Sequence, residues 1–493
     1  SGASEAVSRE ISGGFSRDVF TGTAGDPVEI RHFFTSSGKD TAYLLIGGNR
    51  LTDSGRTIGF VDVLRVKGSS TTINTRLIGT NQSKVNSCSA ASVNCDLTFK
   101  DSDGDVISNS LKNLSRVGST SAGGLVRPIV PGRYRVAITN GTFIVRDSGA
   151  VDPVKVAAES DLMLQKPTFH DEVEVFTTTD PRDADNDDRT ESLDSLRENG
   201  LDRTVVTKGD RVVLGFESTG VWGALSHFAD DPSGKSLEAG QEIDHQALDQ
   251  LLGAEEGVTL RVKQTNAQGN ERVAKLDLSD ASSDSVKLLL AEANELETGD
   301  SDRAPGRFYL ILDTGESGPF TVAPEPGDEF TVEFALKGTE GERYAFADNT
   351  KPEAFSPESA TVEQISAQFP YHETADGSVT AEATFSIRER YLRYDHVADD
   401  RTILVEAGNG SITGETSVLP SEELSATVVR DTDDGSNRTE TEIAVANESF
   451  SFDSGLAGAA PGTRANYRLY WGQILQDSRP VLVVENATSP AKL

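Results

Sequence analysis

Hydrophobic and polar residues alternate with a period of two in many short segments of the chain. Residues 28–33 and 133–138 show this alternation, and the second segment follows the turn-forming pair Pro131-Gly132. Successive side chains of a strand point to opposite faces, so the pattern predicts half-buried antiparallel strands. We therefore expect residues 1–175 to form an N-terminal β-rich domain.

The middle of the chain predicts a linker and a second β-unit. Residues 176–203 are acidic and poor in apolar residues, apart from a short helix expected at 191–198. Residues 204–366 predict a central β-sandwich domain with helical insertions at 244–252 and 285–296. Asp244 is the expected N-cap of the first insertion. The strands of the central domain are expected at 211–217, 258–264, 307–313 and 330–336.

Residues 370–488 predict an immunoglobulin-like β-sandwich. Short strands are expected at 402–406, 424–429, 449–452 and 467–475, with turn residues between them. Residues 489–493 look like the start of a stalk. The expected fold class is mainly β: a multi-domain β-sandwich ectodomain with a few short helices and a C-terminal immunoglobulin-like domain.

Charge excludes one large class of function. The 493 residues contain 46 Lys and Arg against 79 Asp and Glu, giving a net charge of −33. Phosphate backbones require concentrated positive charge, so we expect no nucleic-acid partner. Lys is scarce, with 15 Lys against 31 Arg. This acid excess favours adaptation to molar salt, where repulsion is screened within a few ångströms, over an ordinary acidic secreted protein.

Cysteines and sequons both indicate an exterior location. Cys88 and Cys95 lie in one Ser- and Asn-rich segment, which favours a local disulfide in an oxidising compartment over two free thiols. Seven Asn-x-Ser/Thr sequons are candidates for glycosylation: Asn81, Asn113, Asn140, Asn409, Asn437, Asn447 and Asn486.

The two ends of the chain are interpreted in the same sense. The first residues resemble a processed N-terminus, and the last ones lead into a stalk. The longest apolar runs, such as residues 481–484, are far shorter than the ~20 residues that cross a bilayer. We expect an ectodomain whose signal and C-terminal membrane anchor lie outside this sequence.

Catalytic motifs are missing from the sequence. Gly234-Lys235-Ser236 resembles the end of a phosphate-binding loop, but Ala229 stands where that pattern needs its first glycine. The six histidines form no His-Glu-x-x-His pattern, and there is no Gly-x-Ser-x-Gly elbow. We expect the chain not to be an enzyme, and a secreted enzyme is the alternative of another class.

Two acidic segments have alternating carboxylates of the kind that can surround Ca²⁺. They are Asp101, Asp103 and Asp105, and Asp183, Asp185 and Asp187. Neither has a complete EF-hand pattern, so the alternative is a solvated acidic loop. No other cofactor is expected.

Two apolar segments bounded by glycines are candidates for contact with a membrane. One contains Val221 and Trp222, and the other contains Leu456. Tryptophan is favoured at a lipid interface, and glycines let a loop change shape. The alternative is that these residues belong to a protein core.

Several segments together resemble a known family. Residues 196–225 (LRENGLDRTVVTKGDRVVLGFESTGVWGAL) look like the central module of haloarchaeal surface glycoproteins that carry BGTF-type surface domains. Residues 403–424 and 459–471 are similar to the C-terminal immunoglobulin-like domain of that family, and residues 20–30 resemble its N-terminal strand.

This resemblance implies a fold and a location more than an activity. Within the family, the envelope spikes of haloarchaeal pleomorphic viruses fit best, because only one immunoglobulin-like domain is evident. A spike implies host attachment and membrane fusion, with a host cell surface or receptor and a lipid membrane as partners. The alternative is a host cell-surface or S-layer-type glycoprotein with a structural or adhesive role. The oligomeric state is open, with a monomer favoured.

Overall fold

A computed structural model describes most of the chain. The described residues are 10–36, 41–48, 51–53, 56–58, 61–78, 87–88, 93–111, 132–147, 150–165, 167–178, 204–229, 237–253, 258–296, 304–336, 379–420, 423–432 and 435–487. The expected helix at 191–198 therefore lies outside them.

The first unit is built from three layers of β-structure. Its strands are β1 (Ile11–Phe15), β2 (Val19–Thr23), β3 (Pro27–Ser36), β4 (Ala42–Gly47), β5 (Leu51–Asp53), β6 (Arg56–Ile58), β7 (Val61–Val66), β8 (Ser70–Asn74), β9 (Thr98–Lys100), β10 (Val106–Ser108), β11 (Gly132–Thr139), β12 (Thr142–Val145), β13 (Val151–Pro153) and β14 (Val156–Gln165). The middle sheet has the order β2-β14-β11-β4-β7, and β1-β3-β8 and β10-β9-β12-β13 form the sheets on either side. Strands β5 and β6 form a separate two-stranded sheet.

The middle sheet is buried on both faces, which explains the composition of β4. Leu44 and Ile46 pack into one core, while Tyr43 and Leu45 pack into the other. A strand between two cores has no solvent face, so a continuous apolar run replaces the alternation seen in β3.

The central unit is a two-sheet sandwich that also contains both described helices. Its strands are β15 (Glu174–Thr178), β16 (Val205–Thr207), β17 (Arg211–Glu217), β18 (Glu242–Ile243), β19 (Val258–Gln264), β20 (Val286–Ala291), β21 (Arg307–Asp313), β22 (Glu329–Leu336) and β23 (Val379–Arg388), and its helices are α1 (Trp222–Phe228) and α2 (His245–Gly253). The sheets have the orders β15-β17-β21-β20-β18 and β16-β23-β22-β19. The predicted bounds of β17, β19 and β21 agree with the structure.

Two expectations about this unit need correction. Residues 285–296 do not form a helix, because Val286–Ala291 is a strand paired with β21 along its whole length. Its side chains are buried on both faces, and such a run fits a helix or a central strand equally well. The unit also extends beyond its expected bounds of 204–366. Residues 174–178, expected at the boundary of the N-terminal domain and the linker, pair with β17, and β23 pairs with β22 from Val379 to Ser386.

The C-terminal unit is a β-sandwich, as predicted. Its strands are β24 (Leu392–Tyr394), β25 (Ile403–Glu406), β26 (Ser411–Thr416), β27 (Leu424–Thr432), β28 (Gly435–Ile443), β29 (Val445–Ala446), β30 (Ser449–Asp453), β31 (Arg464–Trp471) and β32 (Ile474–Val484). Sheets β24-β26-β30-β29 and β25-β32-β31-β27-β28 enclose one apolar core. The predicted strand 467–475 is in fact a hairpin, because the chain turns at Gly472, whose φ is +54°.

Candidate functional site

The predicted disulfide is confirmed. Cys88 and Cys95 are bonded with an S–S distance of 2.06 Å and a Cα–Cα distance of 5.7 Å. The bond lies at the core shared by Phe99 and Phe143 of the first unit, and Cys88 is itself buried. The disulfide therefore holds the connection between β8 and β9 against the middle sheet.

The alternating carboxylates at 101–105 have a structural explanation. Oδ1 of Asp101 accepts hydrogen bonds from the backbone N–H groups of Asp103 (3.0 Å) and Asp105 (2.8 Å). Aspartate commonly closes a turn in this way. No group of three or more side chains suited to a metal occurs among the described residues, and Asp183, Asp185 and Asp187 lie outside them. The turn thus accounts for the spacing at 101–105, and Ca²⁺ stays a prediction.

Four of the predicted glycosylation sites are exposed on the C-terminal unit. These are Asn409, Asn437, Asn447 and Asn486. Asn140, in the first unit, is only partly exposed, and its side-chain oxygen accepts a hydrogen bond from the N–H of Thr142. Asn81 and Asn113 lie outside the described residues. Among the sequons that the structure describes, the fully exposed ones therefore lie in the C-terminal unit.

The membrane candidates are buried, which corrects that expectation for this structure. Val221, Trp222 and Leu456 are only 3%, 2% and 2% exposed. The indole N–H of Trp222 donates to the carbonyl of Ser218 at 2.9 Å, and its ring packs edge-on against Phe308. Leu456 lies in the core of the C-terminal sandwich. The glycines beside these residues shape core segments rather than exposed loops.

The start of α1 forms a joint with the first unit. Oδ1 of Asp26 accepts hydrogen bonds from the backbone N–H groups of Gly220 (2.8 Å) and Trp222 (3.1 Å), and the carbonyl of Gly25 accepts one from Gly223 (2.9 Å). Asn74 donates to the carbonyl of Gly223 at 2.9 Å. We call this contact the first joint. Every one of these bonds involves a backbone group of the α1 segment. Because any residue type has such groups, no sequence motif reveals the joint.

A second joint connects the central and C-terminal units. Arg390 donates to the buried carboxylate of Asp210 at 2.8 Å, and its guanidinium lies 3.9 Å from the ring centre of Trp471. Arg388 pairs with Glu448 at 2.7 Å. Burial raises the pKa of Asp210 to about 7, while Arg390 and Arg388 act in the opposite direction.

The turn between β31 and β32 exposes apolar side chains. Ile474 and Leu475 are 69% and 52% exposed, and Tyr470 and Trp471 are partly exposed. Trp471 is opposite Ile474, and Tyr470 is opposite Leu475, so each face of the hairpin has one aromatic and one aliphatic residue. We call residues 470–475 the hairpin tip. In the sequence, the tip is visible only as Gly472 within the run 467–475, and this pattern predicts one unbroken strand.

The edge of β32 at the tip is protected against pairing with a second copy. The partner strand β25 pairs with Val481–Val484, so among the described strands residues 474–480 have a neighbour on one side only. Two antiparallel copies centred on Asp477 would place two carboxylates opposite each other, and Pro480 has no N–H to donate.

Comparisons with known proteins add little. No protein-family model matches the chain, and no curated protein matches its sequence. The solved structures it is similar to include the N-terminal eight Ig domains of Down syndrome cell adhesion molecule, with 9% identity over 97% of this chain and 35% of that chain (TM-score 0.14). Another is a tetra-tandem repeat from the extending region of a large adhesion protein, with 9% identity over 96% and 72% of the two chains (TM-score 0.17).

A third is alpha-2-macroglobulin from Escherichia coli, with 10% identity over 98% of this chain and 24% of that chain (TM-score 0.14). The chain thus spans about a third of the first of these structures and about a quarter of the third. At such TM-scores the similarities support no conclusion about function, and the fold class rests on the strands and sheets described above. Within the part of the chain that the structure describes, no helix is both long and apolar enough to cross a bilayer.

Proposed function

We propose that the chain is the adhesive ectodomain of a surface-anchored, halophilic glycoprotein, and that the envelope spike of a haloarchaeal pleomorphic virus is the best candidate. The observation that carries this proposal is the hairpin tip, where the apolar side chains of Ile474 and Leu475 are 69% and 52% exposed. Apolar side chains that adjoin on an exposed surface mark candidate interaction sites.

The chemistry of the tip supports contact with a host membrane. Trp471 lies level with Ile474 and Tyr470 with Leu475, and the exposed guanidinium of Arg468 comes two residues beyond Tyr470 along β31. Aliphatic and aromatic side chains beside a cationic group suit the boundary between the hydrocarbon and the phosphates of a lipid monolayer. The tip therefore replaces Trp222 and Leu456 as the candidate for contact with a membrane.

The other features of the chain agree with an exterior location. The Cys88–Cys95 disulfide belongs in an oxidising compartment, and four sequons are accessible on the unit that has the tip. The net charge of −33 suits a protein kept soluble in molar salt.

A double substitution, Ile474→Ser with Leu475→Ser, should weaken binding to vesicles of host lipids by roughly thirtyfold. Each side chain is about half exposed, so losing the two apolar groups costs about 2 kcal/mol of binding free energy. Flotation of vesicles in molar salt measures the binding. The matched control is Val106→Ser with Ile107→Ser, an exposed apolar pair of the first unit that should leave binding unchanged.

Equal loss in both double variants would mean that general surface hydrophobicity drives binding. Unchanged binding of the tip variant would refute the role of the tip. Assembly of the wild type into extended sheets on addition of Ca²⁺ would support the S-layer alternative instead.

Dilution from molar salt should lower the melting temperature of the protein. The Debye length grows from ~3 Å at 1 M to ~10 Å at 0.1 M, so repulsion among the excess carboxylates reaches further. Thermal melts across a salt series measure the effect. Sucrose in place of salt is the comparison, because it stabilises by exclusion from the protein surface without screening charge and should therefore recover only part of the lost stability. A melting temperature that is flat or rises on dilution would contradict the halophilic proposal.

A further inference from the structure

The hairpin tip and the second joint share one side chain, that of Trp471. The guanidinium of Arg390 lies over the Trp471 ring, 3.9 Å from the ring centre. The same guanidinium donates a hydrogen bond of 2.8 Å to the buried carboxylate of Asp210, which directly precedes β17. Arg390 therefore connects an aromatic residue of the tip to a residue of the central unit.

Trp471 is covered from two directions. Its side chain packs against the apolar core of the C-terminal sandwich, and the guanidinium of Arg390 covers a face of its ring. Trp471 is consequently only partly exposed, although Ile474, which lies opposite it in the hairpin, is 69% exposed. Tryptophan is the side chain that a lipid interface favours most. The tip residue best suited to lipid is thus partly covered by a residue of the joint.

Backbone groups beside Arg390 report the state of the second joint. The hydroxyl of Thr207, in the central unit, donates to the carbonyl of Ser417 at 3.3 Å. The N–H of Tyr391 donates to the hydroxyl of Ser417 at 2.9 Å, and the N–H of Ser417 donates to the carbonyl of Tyr391 at 3.1 Å. Loosening of the joint should therefore speed hydrogen exchange at the amides of Tyr391 and Ser417.

We propose that Arg390 makes an autoinhibitory contact: it covers Trp471 while the second joint is closed, and contact of the tip with a membrane displaces it and loosens the joint. This inference rests on the proposed function of the tip. Lipid and the guanidinium compete for the same face of the Trp471 ring. Linkage then requires that the closed joint weakens lipid binding by the same factor by which bound lipid favours the open joint.

Arg390→Gln should tighten binding to vesicles about two- to fivefold, the range expected for a cation–π contact at a partly exposed site. Flotation with equimolar phosphatidylcholine and phosphatidylglycerol vesicles, in molar salt at pH 8, measures the binding. Arg393→Gln is the matched control. Arg393 is exposed and its loss changes net charge equally, but it lies over Tyr391 and not over Trp471. The control should bind as the wild type does.

Arg390→Gln also leaves the buried carboxylate of Asp210 without this cation, which weakens the joint. Arg390→Gln with Asp210→Asn is therefore the second variant, because it removes both charges together and retains polar groups at both positions. It should melt close to the wild type and bind vesicles as tightly as Arg390→Gln. Tighter binding in this double variant separates the uncovering of Trp471 from damage to the fold.

The joint itself is measured in the same samples. Bound vesicles should speed hydrogen exchange at the amides of Tyr391 and Ser417 of the wild type about two- to fivefold, the factor that linkage requires. In Arg390→Gln these amides should exchange fast with or without vesicles. The protein contains two tryptophans, so Trp222→Phe leaves Trp471 as the single emitter. Its emission should move to shorter wavelength when vesicles bind.

Three results would overturn the proposal. Vesicles that bind through Ile474 and Leu475 without changing exchange at Tyr391 and Ser417 would refute the contact and keep the proposed function. Equal binding changes in Arg390→Gln and Arg393→Gln would show a general effect of charge. Absence of vesicle binding by the wild type and by Arg390→Gln alike would refute the proposed function and this inference together.

Discussion

Replacing Trp222 by Asp is expected to unfold the central unit. Trp222 is 2% exposed and packs among Leu225, Phe308 and the rest of the central core. Removing a buried tryptophan costs about 3–5 kcal/mol, and a buried, unpaired carboxylate adds several more. The sum reaches the whole stability of an ordinary domain. Thermal melts followed by far-UV circular dichroism measure the loss.

Trp222→Phe is the matched control for this substitution. It retains an aromatic ring but removes the indole N–H that donates to Ser218, so a loss of only about 1–2 kcal/mol is expected. Lipid mixing should be measured on the same samples. A variant Trp222→Asp with normal melting but no lipid mixing would show that Trp222 reaches the membrane, contrary to its burial.

The bounds of a strand could be predicted from the sequence where turn residues and β-branched or aromatic side chains gave the same answer. Residues 211–217, 258–264 and 307–313 are bounded by turn residues and rich in β-branched and aromatic side chains, so their bounds agree with β17, β19 and β21. Val286–Ala291 was not, because Val-Lys-Leu-Leu-Leu-Ala has apolar residues at both strand and helix spacings. Only its pairing with β21 decides between them, and pairing is a property of the tertiary fold.

The candidate sites were predictable where the contacting residues are close in sequence and not where they are far apart. The Cys88–Cys95 bond follows from proximity in sequence, whereas the burial of Trp222 depends on Phe308, which is far away along the chain. The role of Asp26 depends on backbone groups of another unit, and no residue pattern records such partners. The turn at Gly472 left a sequence signal, but an apolar run with one glycine equally fits an unbroken strand.

Arg307→Ala should destabilise the central unit by about 3–5 kcal/mol, because it leaves a buried carboxylate without its cation. Arg307 binds Glu217 through two nitrogens, at 3.2 and 2.7 Å, and also contacts Glu174 at 3.1 Å. Water has little access to the carboxylate of Glu217, whose side chain is 4% exposed. Urea unfolding of the variant measures the loss.

The Arg307–Glu217 pair should lose its contribution to stability at low pH. Burial raises the pKa of Glu217, but the bonds from Arg307 and from the N–H groups of Leu296, Glu295 and Asn294 outweigh burial, so the pKa lies below its usual value. Its contribution to stability is complete above the ordinary glutamate pKa and is lost as the pH falls through the lowered value. Arg307→Ala should therefore remove part of the acid sensitivity of the central unit.

Arg438→Ala is the control for this prediction, because Arg438 pairs with Glu440 on the surface, where both side chains are more than half exposed. Such pairs contribute little, so its unfolding midpoint should match wild type. Glu217→Gln with Arg307→Met removes both charges together and keeps an acceptor for the backbone N–H groups that bond Glu217, so it should recover most of the lost stability. If Arg307→Ala alone unfolds at the wild-type urea concentration, the pair does not hold the sheet together.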